Sequence, residues 1–258
     1  MLPHNARIGV FAPSHRFNPQ RLEAGLEILR AAGHTPVLAP NLNASHRYFA
    51  GTDHQRLEDL VWALSSADLD AAMMARGGSG MGRLLPLLPE GLKRGVVGFS
   101  DGTALLVAMF QRYGIQGVHA PVVHSLAQQG IHAVEDLVGE GTGRAEGRVV
   151  GGNLCVLSSL CGTADQLQAE GCIVVLEDVG EPAYKIDRML AQLRLSGVLD
   201  GAVGLALGDF GEVPELLDIV REHFDGPLAW GLPIGHGGRN RPWVYGARAV
   251  MEGGLSWR

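Results

Sequence analysis

Between residue 8 and about residue 119 the chain alternates short apolar runs with stretches of helical period, and this alternation most narrows the folds open to it. The runs cover residues 8–12, 37–39, 71–75, 96–99 and 115–118. Between them, Leu22, Leu26 and Leu29 share one helical face, Leu57, Leu60, Val61 and Leu64 a second, and Leu105, Leu106, Met109 and Phe110 a third. Strand and helix in strict alternation predict βαβ units around a parallel sheet, with each helix laying one apolar stripe on it.

Residues 125–152 break this rhythm, being richer in Gly, Glu, His and Gln and weakly periodic, which marks a passage between two lobes. The boundary is expected near residue 140, giving lobes 1–140 and 141–258. A length of 258 residues permits two cores without requiring them. Beyond the passage come a helix over 154–160, an apolar run at 173–176 and a helix with Ile186, Met189, Leu190 and Leu193 on one face. A second run at 202–207, a helix carrying Leu216, Leu217, Val220 and Phe224, and a Gly-rich tail of short strands complete the chain. The second half is therefore also mixed α and β.

Charge excludes one class of partner. A net charge of −6 and a pI near 5.9 leave no basic face with which to displace counterions from phosphates, so no nucleic acid is expected. No secretory leader and no apolar run of membrane-spanning length are visible, so no membrane association and a cytoplasmic location are expected. Cys155, Cys161 and Cys172 lie among apolar residues without C-x-x-C spacing and read as buried, reduced thiols. The ten histidines include no H-E-x-x-H, so neither a metal nor any other cofactor is expected.

Gly98-Phe99-Ser100-Asp101-Gly102 follows the run at 96–97 and opens a helix, the setting a nucleophile elbow requires. There the Asp101 amide and the positive helix end would face a developing oxyanion. A serine that merely caps the helix fits the same spacing. Arg76-Gly77-Gly78-Ser79-Gly80-Met81-Gly82 sits at the carboxyl end of a strand, the edge where parallel sheets bind ligands. Arg83 stands where G-x-G-x-x-G needs its last glycine, which argues against a nucleotide loop and leaves a substrate loop or a plain turn. Glu177 and Asp178 also end a strand and are candidates either for catalysis or for pairing with Lys185 and Arg188. His236, between glycines, is a candidate base in the order serine, acid, histidine known from α/β-hydrolases, with His119 and His124 as rivals.

Taken together, these segments resemble the LD-carboxypeptidase family of serine peptidases. The matching residues are Arg76-Gly77-Gly78, Gly98-Phe99-Ser100-Asp101 with Thr103, His119-Ala120-Pro121 and Gly151-Gly152-Asn153-Leu154. They continue through residues 176–181, then 184–188, to Gly235-His236-Gly237. The resemblance implies a Rossmann-like N-terminal parallel-sheet lobe, a smaller C-terminal α/β lobe, an active site between them and a homodimer. It also implies Ser100 as nucleophile, His236 as base, Glu177 as acid, and the amides of Gly78 and Asp101 as oxyanion donors. Arg76, Ser79 and Arg239 are the residues expected to contact substrate. The implied reaction is hydrolysis of an L,D-amide, releasing terminal D-alanine from a murein peptide. An aminoacyl-nucleotide amide of the microcin type is the second substrate, and a non-catalytic small-molecule binding module is the rival class. Ser79 departs from the Tyr common in relatives, Ala120 interrupts the usual His-Gly-Pro, and the connection after His124 looks short.

Overall fold

The computed structural model describes residues 3–258, which divide into two compact units, 1–133 and 134–258. The first unit runs β1 (Arg7–Phe11), α1 (Pro19–Ala31), β2 (Thr35–Leu38), α2 (Asp53–Ser65), β3 (Ala71–Met74), β4 (Val96–Gly98), α3 (Gly102–Tyr113), β5 (Gly117–His119) and a short α4 (Leu126–Gln129). Its strands lie in the order β5-β4-β3-β1-β2, and every pairing among them is parallel. Parallel neighbours need a crossover long enough to hold a helix, and α1, α2 and α3 each fill one; the β3–β4 connection holds only two short 3-10 turns, Met81–Arg83 and Leu85–Leu87. Local chemistry sets the helix starts. The Asn18 side chain accepts from the Arg21 amide with Pro19 at the first helical position, and Thr52 and Gln55 form a reciprocal capping box.

Burial follows the periodicity. Leu22, Leu26 and Leu29 are buried on α1, and Leu60 and Leu64 on α2, where Leu57 and Val61 are only half covered. Helix α3 departs from a single stripe: every residue from Gly102 to Met109 is buried, so this helix is enclosed on several sides. It is also the helix that carries the candidate nucleophile turn.

The second unit contains β6 (Leu137–Val138), β7 (Glu140–Thr142), β8 (Ala145–Asn153), α5 (Leu154–Leu160), β9 (Cys172–Glu177), α6 (Ala183–Leu195), β10 (Gly204–Leu207), α7 (Leu216–His223), β11 (Leu228–Trp230), β12 (Trp243–Tyr245), β13 (Arg248–Met251) and β14 (Gly254–Trp257). Its sheet is mixed, in the order β6-β14-β13-β8-β9-β10-β11-β7. The centre, β8-β9-β10-β11, is parallel, and antiparallel strands flank it on both sides. Strands β9 and β10 are wholly buried and read as continuous apolar runs, as strands covered on both faces do.

Two expectations are corrected here. The weakly periodic stretch at 125–152 is not merely a passage, because it contains β6, β7 and most of β8, a nine-residue strand at the middle of the second sheet. Glycines disguise β8, and they are required. A Cβ on Gly147 would lie 2.5 Å from the Gly171 carbonyl oxygen, and one on Gly151, at φ +113°, 2.1 Å from that of Val175. On α7 only Val220 is buried, and the helix ends at His223, leaving Phe224 outside it.

Candidate active site

Strand β4 ends at Gly98 and α3 begins at Gly102, so Ser100 occupies the tight turn between them. Its φ is +63°, a left-handed conformation that an L side chain adopts at a cost of about 1–2 kcal/mol. Such strain persists where the surroundings enforce it, and here the enforcement is visible. A Cβ on Gly98 would lie 2.6 Å from Met74 Sδ and one on Gly102 2.7 Å from the same atom, so both flanking glycines pack tightly on β3. Ser100 does not cap the helix: the N-cap is Asp101, which makes no side-chain capping bond. The amides of Gly102, Thr103 and Ala104 are taken by the carbonyls of Phe99, Ser100 and Asp101. Among the described residues, the Asp101 and Gly78 amides donate to no protein acceptor.

The Gly77-Gly78 loop is pressed against this turn. A Cβ on Gly77 would sit 2.8 Å from Ser100 Cβ and 3.0 Å from its Oγ, and one on Gly78, at φ +120°, 2.4 Å from His15 Nδ1. Only glycine permits so close an approach. Two buried side chains hold the loop. Arg56, 1% exposed, donates to the carbonyl oxygens of Pro13 and Gly80 and pairs with Asp53. The Asp101 carboxylate, 6% exposed, accepts from Ser14 Oγ at 2.6 Å and from the Met81 amide at 2.8 Å. Asp101 thus ties its own turn to the loops that follow β1 and β3. Burial, helped by Arg76 and Arg16 and opposed by Asp101, holds the His15 pKa below its ordinary value, so this ring at the loop is neutral at pH 7. Arg76 is half-buried and donates to the Arg16 carbonyl oxygen at 2.5 Å, whereas Ser79 is exposed.

In the second unit, the strand ends bring a different pair together. Glu177, at the end of β9 and fully buried, places Oε2 2.8 Å from His236 Nδ1, across 59 positions of sequence. It does not pair with Lys185 or Arg188: Lys185 pairs with Glu181, and Arg188 lies over the Tyr184 ring. Asn153, the N-cap of α5, donates from Nδ2 to Glu177 Oε1 at 3.2 Å and orients the carboxylate. Gly235 makes the approach possible, since at φ +118° a Cβ there would lie 2.6 Å from Glu177 Oε2. The loop is further tied by the Gly235 amide to Asn240 Oδ1. A carboxylate on Nδ1 fixes the tautomer that leaves the lone pair on Nε2. Burial pulls the His236 pKa down, but the Glu177 hydrogen bond and the charges of Glu177, Asp178 and Asp209 outweigh it and raise the value overall. Asp178 is not part of this contact; it accepts from the Cys155 amide at 2.9 Å, and burial raises its pKa.

The rival histidines have other surroundings. His119 is completely buried, its ring edge-on to Phe99, and burial together with Arg21 and Arg76 lowers the His124 pKa to about 4. Arg239 is exposed and lines a cavity of about 530 Å³ with Asp209, Phe210 and Trp230. The cysteine expectation holds only for Cys172: Cys155 is exposed at the start of α5 and Cys161 half-buried, because an apolar neighbourhood in sequence does not choose a helix face. Among the described residues, no helix is long and apolar enough to cross a membrane, and no group of three or more His, Cys, Asp or Glu side chains could hold a metal ion. Ser14, His15 and Asp209 carry no motif that would have singled them out. Asn153 alone had a signal, lying within one of the segments that carried the family resemblance.

Residues 8–120 match the N-terminal domain of LD-carboxypeptidases, and residues 146–251 match the LD-carboxypeptidase C-terminal domain. The chain is 36% identical to a murein tetrapeptide carboxypeptidase of Pseudomonas aeruginosa, over 99% of this chain and 96% of the relative. Among solved structures, a muramoyltetrapeptide carboxypeptidase from Oxalobacter formigenes superimposes with a TM-score of 0.84 at 25% identity, over 96% of each chain. MccF in complex with glutamyl sulfamoyl guanosine gives a TM-score of 0.85 at 20% identity, over 99% of this chain and 96% of that one, a likeness of fold.

Proposed function

Because the chain belongs to the LD-carboxypeptidase family, we propose that it hydrolyses an L,D-amide of a murein-derived peptide and releases the terminal D-alanine. The observation that carries this reading is Ser100, held at φ +63° between a strand and an enclosed helix beside unused amides. Ser100 is half-buried rather than enclosed, and a nucleophile needs such access and an oxyanion environment, whereas a structural serine needs neither.

In this reading, Ser100 Oγ attacks the scissile carbonyl carbon while His236 Nε2 takes its proton. The Gly78 and Asp101 amides stabilise the oxyanion, and the imidazolium gives its proton to the departing D-alanine nitrogen. Water, deprotonated by the same histidine, then cleaves the ester and restores Ser100. Glu177 holds the ring and stabilises its charged form. Arg76 in the first unit and Arg239 in the second are the cations suited to the terminal carboxylate. The reading takes the enzyme to be a cytoplasmic homodimer.

Tetrapeptides that differ only in the chirality of the terminal alanine test the substrate class. D-alanine release without L-alanine release is expected, with loss of turnover in Ser100→Ala and an unchanged melting temperature. An intact peptide alongside cleavage of an aminoacyl sulfamoyl nucleoside would favour the microcin-type amide. Full activity in Ser100→Ala would reject the mechanism.

A further inference from the structure

Asp209 follows β10 and lies outside every segment that carried the family resemblance, yet it touches each part of the histidine's setting. Its amide donates to the Ile234 carbonyl oxygen at 2.8 Å, holding the residue that leads into Gly235-His236-Gly237. Its carbonyl oxygen accepts from the Asp178 amide at 3.1 Å, holding the residue that follows Glu177. Its carboxylate is bound on one side, where Oδ1 accepts from the Gly211 amide at 2.7 Å, and is aimed on the other at Gly237. A Cβ on Gly237 would stand 1.7 Å from Asp209 Oδ2, so the carboxylate occupies the space a side chain would take there. The neighbouring Gly208 is equally confined, since a Cβ there would be 2.6 Å from the Ile234 carbonyl oxygen and 3.1 Å from Glu177 Cβ.

We propose that Asp209 is the positioning residue for His236, clamping the glycine-rich loop at Ile234 and Gly237 so that the imidazole keeps one orientation. The geometry supplies the reason a clamp is needed. Three of the four residues from 235 to 238 are glycine, and a loop of that composition has many backbone states to lose. Glu177 holds only the ring nitrogen; Asp209 holds the main chain before the histidine and abuts the main chain after it. Three carboxylates, those of Glu177, Asp178 and Asp209, act electrostatically on His236, and of these Asp178 is occupied by the Cys155 amide. Asp209 therefore also contributes to keeping the imidazolium stable when the ring carries a proton.

The catalytic part of this inference rests on His236 being the base, but the positioning part does not, and the two are tested apart. Isotope-labelled imidazole is titrated by NMR in the full chain for wild type, Asp209→Asn and Asp209→Ala, alongside kcat, KM and melting temperature, with His236→Gln as the activity reference. The expected result is a His236 titration displaced to lower pH in both variants. Turnover is expected to fall by about 10-fold or more at little change in KM, as for a displaced catalytic group. Gly237→Ala, which drives a methyl group into the carboxylate, should mimic Asp209→Asn, and its defect should shrink in the Asp209→Ala background, where that clash is gone. An unmoved His236 titration in both Asp209 variants, or additive effects in the Gly237→Ala cycle, would overturn the proposal. If the titration moves while His236→Gln retains turnover, the clamp stands and the base assignment falls.

Discussion

Replacing Asp101 by Ala tests whether the turn that carries Ser100, the proposed nucleophile, is held from outside. Among the described residues its Oδ2 is the sole acceptor for two buried donors, Ser14 Oγ at 2.6 Å and the Met81 amide at 2.8 Å, and both of those residues are 0% exposed. Truncation strands both donors. A buried donor without a partner costs about 1–3 kcal/mol, so stranding two should cost Asp101→Ala about 2–6 kcal/mol of stability. At about 2–4 °C per kcal/mol for a protein of this size, that corresponds to a fall in melting temperature of about 4–24 °C. The same substitution unties the turn from the Gly77-Gly78 loop, so the Asp101 amide no longer has a fixed aim. Losing one oxyanion donor typically lowers kcat by about 10²–10³-fold. Asp101→Asn keeps an oxygen in place for both donors and forfeits only the charge assistance, so it should lose about 1 kcal/mol and most of its activity should survive. Thermal unfolding and steady-state release of D-alanine read both effects. If Asp101→Ala melts with wild type and turns over at the wild-type rate, the carboxylate is not what holds the turn.

Three further outcomes follow from neighbouring contacts. Gly77→Ala places a methyl group 2.8 Å from Ser100 Cβ, and should lower kcat sharply while sparing the fold, as judged by circular dichroism. Glu177→Gln should move the acid limb of kcat/KM to lower pH, because the raised His236 pKa owes much to that carboxylate. A raised histidine pKa stabilises below the unfolded value of 6.5 and loses that contribution as pH rises through the folded value. The stability deficit of Glu177→Gln should therefore be largest near pH 6 and shrink toward pH 9 in urea titrations. His124 has the opposite sign: with its pKa near 4, the wild type should lose stability as pH falls from 6.5 toward 4, and His124→Gln should lose much less in the same urea titrations.

Much of the first unit was legible because its information is local. Five apolar runs and three striped helices became β1 to β5 and α1 to α3 with small shifts in their ends, since periodicity reports burial directly. The turn around Ser100 was legible because its glycines stand two residues either side of the serine, directly after an apolar run, although what requires them is Met74 on β3. Strand β8 was not, because its glycines answer to β9 and the Gly171 loop rather than to strand propensity. Cys155 misled because an apolar neighbourhood in sequence says nothing about which side of α5 faces out.

What the sequence determined by itself is the alternation of strand and helix, the strand-to-helix turn at Ser100, and membership in a family through segments spread over most of the chain. What only the tertiary structure decided is partnership. Glu177 chose His236 over the nearby Lys185, Asp101 reached back 87 positions to Ser14, and Asp209 came to lie against Gly237. Periodicity is a property of neighbours along the chain, whereas the contacts of a strand end depend on which strand the sheet places beside it, and that order is set by packing summed over the whole unit.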